Sequence, residues 1–150
     1  MNIHEIYNLI AESMEDNFTG AGVIFCTKTG KVLILKKDSN MWGLPGGKPE
    51  QNESPRETAI REAKEETGIE AINLTKPIIT NFNKKTYYSY ICILDDVVDV
   101  TLSTEHKKYD WVKIKDLKRV KLFKLFRNNL KKIVNKIETE ISLNNNNEKF

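Results

Sequence analysis

Residues 47–69 read GKPEQNESPRETAIREAKEETGI, and the spacing inside this stretch decides how the rest of the chain is read. Gly47 is followed by five residues, Glu53, seven residues, Arg61-Glu62, apolar Ala63, one residue, Glu65-Glu66, one residue, Gly68 and apolar Ile69. With each residue type at roughly 5 to 7% usage, the seven fixed positions coincide at a given start roughly once in 10^9 trials. Ser54-Pro55-Arg56-Glu57 predicts a helix start: Ser accepts a backbone N–H, Pro suits the first helical position, and Glu three residues after the Ser completes a capping box. Gly68 predicts the stop, because it adopts the left-handed conformation common at helix ends. At about 100° per residue, Glu62, Glu65 and Glu66 sit near 0°, −60° and +40°, a roughly 100° arc of one face. Ala59, Ile60, Ala63 and Thr67 supply the less polar positions by which the helix packs on a sheet.

Clustered glutamates on a helix are commonly a solvated acidic face, and like-charge pairs there cost only about 0.2 to 0.5 kcal/mol. The preceding Gly47 loop and the embedded Arg61 favour a different use. Hard divalent cations select oxygen ligands, and Mg²⁺ is held by a few carboxylates together with water and substrate phosphate.

The composition fits one small enzyme domain. A chain of 150 residues with 39% hydrophobic content can bury one core, and the expected division is a single domain over 1–143 with a polar, disordered tail over 144–150. The formal charge of +3 is unevenly spread. Acid concentrates in Glu50 to Glu70 and base in Lys113 to Lys136, an asymmetry suited to drawing in a polyanion. Cys26 and Cys92 lie in apolar runs without a CxxC pattern and read as reduced core residues. No apolar run reaches transmembrane length, and the amino terminus carries acids inside its apolar pattern. The expectation is a soluble, cytoplasmic protein without a membrane partner, monomeric or homodimeric.

Outside the central stretch, Ile3, Ile6, Leu9, Ile10 and Met14 predict an opening helix over Ile3 to Met14. Strands are expected at Ala21 to Thr27, Val32 to Lys37, Ala71 to Phe82 and Thr86 to Leu94, with weaker ones at Val97 to Leu102 and Asp110 to Ile114. Trp42 to Gly47 reads as a loop. From Asp116, apolar residues from Leu122 to Ile141 recur near a 3.6-residue period, predicting one closing helix whose basic residues face solvent.

Residues Gly47 to Ile69, with their Leu44-Pro45-Gly46-Gly47 lead-in, resemble the Nudix box without a departure. The order of elements resembles the Nudix fold, which implies an α/β protein, an α/β/α sandwich around a mixed β-sheet. The resemblance further implies hydrolysis of a nucleoside diphosphate linked to another group, with Mg²⁺, or Mn²⁺ in its place, as the cofactor. By that analogy Glu62, Glu65 and Glu66 bind the metal, the Gly47 carbonyl adds a ligand, Arg61 orients the glutamates and Glu53 supports them.

Members of the family differ in their general base, so two assignments stay open. Glu62 or Glu66 reaches a metal-activated water from the helix; Glu105, ahead of Asp110-Trp111, resembles the later-loop acid that serves as base or metal ligand. His106 reads as a loop or supporting residue. Tyr87 stands eighteen positions after Ile69, and a Tyr about 16 to 18 positions beyond the box resembles the marker of dinucleoside polyphosphate hydrolases. Tyr87 and Tyr88 are therefore candidate stacking residues, with Trp42, close to the box, as a third. Dinucleoside polyphosphates such as Ap3A and Ap4A lead the expected substrates, with ADP-ribose and FAD as related compounds. The alternatives are sanitising of oxidised dNTPs, hydrolysis of capped RNA 5′ ends, and a non-catalytic nucleotide-binding module.

Overall fold

The computed structural model describes residues 1–6 and 18–147. At its centre is β1 (Gly20–Thr27), buried at every position. Alternate side chains of a strand point to opposite faces, so a strand buried throughout must be covered on both sides. Ala21, Val23 and Phe25 face one core, and Ile24 and Cys26 face the other.

The remaining strands are β2 (Lys31–Lys36), β3 (Trp42–Gly43), β4 (Gly46–Gly47), β5 (Ile78–Phe82), β6 (Lys85–Leu94) and β7 (Lys108–Lys113). They form one seven-stranded sheet of order β3-β2-β1-β6-β5, with β4 on β1 and β7 on β2. β1 and β6 run parallel from Gly20↔Tyr87 to Thr27↔Leu94. The other pairings are antiparallel. One face of the sheet packs on α1 (Pro55–Thr67) through Ala59 and Ala63. The other packs on a 3-10 helix (Ile114–Arg119), α2 (Lys124–Asn128) and α3 (Leu130–Asn147) through Leu117, Phe126, Ile133, Ile137 and Ile141, with Leu122 of the intervening segment. The expected α/β/α sandwich around a mixed sheet is present.

Several elements differ from expectation, each for a local reason. Residues 71–77 stay outside the sheet, and the strand starts only after Pro77, which has no N–H to donate to a ladder. Residues 97–102 form no strand; the Thr101 N–H donates instead to the Thr67 carbonyl at 2.9 Å and so covers the end of α1. The closing helix is broken, because Leu122 bridges Trp42 of β3 and the Phe123 N–H donates to the Trp42 carbonyl at 3.0 Å. α3 continues through Asn144 to Asn147, where a disordered tail was expected; its apolar stripe buries Ile133, Ile137 and Ile141, and propagating a docked helix costs little even through poor helix formers. Of the expected opening helix, residues 3–6 are helical and the rest lies outside the described residues. No helix among the described residues is long and apolar enough to cross a membrane.

Candidate active site

α1 begins as its sequence dictates. Ser54 Oγ accepts from the Glu57 N–H and Glu57 Oε1 accepts from the Ser54 N–H, both at 3.1 Å. At the other end Gly68 is left-handed, with φ 75°, and its N–H donates to the Lys64 carbonyl. Arg61, from the middle of the helix, ties the preceding loop down. Its Nε and Nη2 donate to the two oxygens of Glu53 at 2.6 and 2.9 Å, and Nη2 also donates to the Lys48 carbonyl at 3.0 Å. Glu53 further accepts from the Glu50 N–H and the Thr58 hydroxyl. The Arg61 guanidinium holds the Glu53 carboxyl well below the usual range, at about 2. Arg61 Nη1 reaches Glu62 at 3.0 Å and Glu65 at 3.2 Å. Glu53 and Arg61 thus fix the loop and the glutamates relative to each other.

Two glutamates point from α1 toward Gly46 and Gly47, which form strand β4 on β1 where a loop from Trp42 to Gly47 was expected. The Glu62 carboxyl lies so close to Gly47 that a Cβ there would sit 2.5 Å from Glu62 Cδ. Glu66 is buried, and its Oε1 accepts from the Gly46 N–H at 2.7 Å. Burial pushes the Glu66 carboxyl up to about 8, and the neighbouring Glu62 and Glu105 add to the rise against the Gly46 hydrogen bond. Burial raises Glu62 as well, opposed by Arg61. Glu65 is more exposed and remains at the outer edge with Arg61.

The third component comes from the loop before β7. Glu105 and His106 approach Glu66, and ligand atoms of the three residues lie within 4.8 Å of one another. His106 Nε2 is 3.3 Å from Glu66 Oε2. The ring is buried, and its Nδ1 has no hydrogen-bond partner among the described residues. Burial, then the Lys37 charge, lowers the His106 pKa. This donor set fits a divalent cation: the Glu62 and Glu105 charges crowd the buried Glu66 and raise its proton affinity, as anions do where a cation would relieve them.

The acidic cluster opens into a cleft of about 290 Å³. Lys37, Lys48 and Lys85 contribute to its lining, together with Gly46, Gly47, Glu66 and His106. Leu44, Phe82, Tyr87, Phe123 and Phe126 provide apolar wall. Tyr87 meets Phe126 edge-on, centroids 5.8 Å apart at 84°. Its hydroxyl lies over Gly22 and Gly46, where a Cβ would come within 2.6 and 1.9 Å. Tyr88 does not share this position. As the next residue of β6 it points through the sheet into the α1 core, 3% exposed, against Phe18, and cannot stack on a ligand in the cleft. Trp42 is likewise outside the lining; its ring packs beside the α2–α3 core under Lys36. Phe123 and Phe126 enter the cleft from α2 and its N-terminal flank, although their helical spacing reads as ordinary core. A larger groove, about 830 Å³, lies along β5 and α3, remote from the carboxylates.

Comparison with known proteins agrees with this geometry. A family model described as the NUDIX domain matches residues 16–136. The chain is 33% identical over 109 residues to the bis(5′-nucleosyl)-tetraphosphatase [asymmetrical] of Mus musculus, covering 64% of this chain and 73% of that protein. It is 36% identical over 88 residues to the ADP-ribose pyrophosphatase of Bacillus subtilis, covering 55% of this chain and 44% of that protein. Among solved structures, a C. elegans Ap4A hydrolase binary complex superposes with a TM-score of 0.68 at 24% identity, covering 80% of this chain and 98% of that one.

Proposed function

The chain belongs to the Nudix hydrolase family, and from that membership we propose that it is a Mg²⁺-dependent pyrophosphohydrolase of dinucleoside polyphosphates, Ap4A foremost, with Mn²⁺ able to replace Mg²⁺. The observation that carries the reading is the convergence of Glu62, Glu66 and Glu105 beside the Gly46-Gly47 strand, at the edge of an aromatic-walled cleft with lysines in its lining. The names of the tetraphosphatase relatives, 33 and 36% identical in Mus musculus and Sus scrofa, support the substrate class.

A divalent cation held by Glu62, Glu66 and Glu105 would polarise phosphoryl oxygens, offset their charge and acidify the attacking water. The chain's own residues do the positioning. Lys37, Lys48 and Lys85 balance the charge of a polyphosphate entering the cleft. Tyr87, Phe123 and Phe126 offer aromatic surface to a nucleobase. Arg61, clamped by Glu53, keeps Glu62 in place. Glu105, the most exposed of the clustered carboxylates, offers one oxygen to the cation and the other to the proton of the attacking water, as general base.

The test is a panel of Ap4A, Ap3A, ADP-ribose, FAD, 8-oxo-dGTP and capped RNA with product identification. The highest kcat/KM is expected for Ap4A. Tyr87→Ala should raise KM for Ap4A more than for 8-oxo-dGTP, by the loss of roughly 1 to 3 kcal/mol of stacking. Preferred cleavage of 8-oxo-dGTP would assign the site to nucleotide sanitising instead.

A further inference from the structure

We infer that His106 is a nitrogen ligand in the cation site, giving this chain a mixed oxygen and nitrogen donor set that favours Mn²⁺ over Mg²⁺. The inference rests on the divalent-cation reading above and adds a ligand to it.

Glu66 has two oxygens with separate duties. Oε1 is occupied by the Gly46 N–H at 2.7 Å, which leaves Oε2 available. That oxygen faces His106 Nε2 at 3.3 Å. Donors in adjacent positions around one ion, each about 2.1 to 2.2 Å from it, stand about 3 Å apart, so this separation suits two ligands of a single ion. The Glu105 carboxylate completes a set whose ligand atoms lie within 4.8 Å of one another.

The ring is held where the site needs it. The His106 backbone N–H donates to the Ser103 carbonyl, and the next residue, Lys107, donates its backbone N–H to the Lys36 carbonyl at 2.9 Å. The Lys36↔Lys108 register of β2 and β7 then fixes the loop against the sheet. His106 is 8% exposed, and its Nδ1 is buried with no hydrogen-bond partner among the described residues. A buried imidazole that gains nothing through Nδ1 is a costly way to fill space unless Nε2 has a polar role. Imidazole suits first-row transition ions, whereas Mg²⁺ keeps to oxygen.

The experiment is pulsed electron paramagnetic resonance of the Mn²⁺-loaded protein, which reads nitrogen coordinated to the ion independently of turnover. Wild-type protein should show a directly coordinated ¹⁴N coupling, converted to ¹⁵N in protein grown on ¹⁵N-histidine. His106→Gln should lose it; His4→Gln should keep it. The ratio of Mn²⁺ to Mg²⁺ affinity should fall on the order of 10-fold in His106→Gln. An oxygen-only spectrum in the wild-type protein, or a coupling that survives His106→Gln, overturns the inference. If His106→Gln fails to fold, the isotope result on wild-type protein still decides. Oxygen-only Mn²⁺ with full Ap4A hydrolysis removes the nitrogen ligand and leaves the hydrolase intact. A coupled nitrogen with no cleavage of the substrate panel does the reverse.

Discussion

Glu53, in the loop before α1, and Glu66, in the last turn of α1, shift in opposite directions: the Arg61 hydrogen bond lowers Glu53, whereas burial raises Glu66. Glu66 is raised from 4.5 to about 8, so the folded metal-free protein holds a proton that the unfolded chain releases, and stability falls as pH rises through that interval. Glu66→Gln removes this loss. In EDTA its urea midpoint should exceed the wild-type value at pH 8 and converge with it near pH 4, while kcat falls by about 10² to 10³-fold. Glu53 is lowered from 4.5 to about 2, which contributes stability that is full above 4.5 and lost as pH falls toward 2. Urea titrations of wild type and Glu53→Gln should therefore differ by about 1 to 3 kcal/mol at neutral pH and draw together below about pH 3. Both glutamates are legible in the sequence as members of one spaced set. Their contrast is not, because it depends on which carboxylate meets Arg61 and which is sealed beneath Gly46.

Among elements, α1 is the most legible because its signals are local: Ser54 and Glu57 close the capping box within one turn, and Gly68 ends the helix two residues after Glu66. Ser54→Ala should cost about 1 kcal/mol of stability and leave kcat within about twofold, since the cap touches neither cleft nor cluster. Gly47→Ala should show the opposite balance. Its Cβ would meet the Glu62 carboxyl at 2.5 Å, so activity should drop by about 10²-fold while stability changes by less than about 1 kcal/mol. Thermal unfolding and kcat/KM measured side by side separate the two effects. The closing helix was less legible. Leu122, Phe123 and Phe126 keep a helical period, yet a non-local bridge from Leu122 to Trp42 interrupts the helix and turns both phenylalanines toward the cleft.

At the scale of the molecule, the sheet assembles the site from sequence-distant parts. β1 pairs with β4 and so places Gly46 and Gly47, α1 supplies Glu62 and Glu66, and the β2–β7 ladder brings in Glu105 and His106. The carboxylates of α1 can be read from spacing alone, whereas the position of His106 follows only from strand register. Tyr87 and Tyr88 show the same limit: adjacent residues of one strand must part to opposite faces, and only the pairing of β6 with β1 tells which one enters the cleft. The most direct measurement is the cleavage of Ap4A in ¹⁸O-labelled water, with and without EDTA, followed by mass analysis of the nucleotides. Divalent-dependent hydrolysis predicts unequal products, AMP and ATP, with a single ¹⁸O in one product phosphate and no cleavage in EDTA. Intact Ap4A in the presence of Mg²⁺ and Mn²⁺, or an equal rate in EDTA, would contradict it.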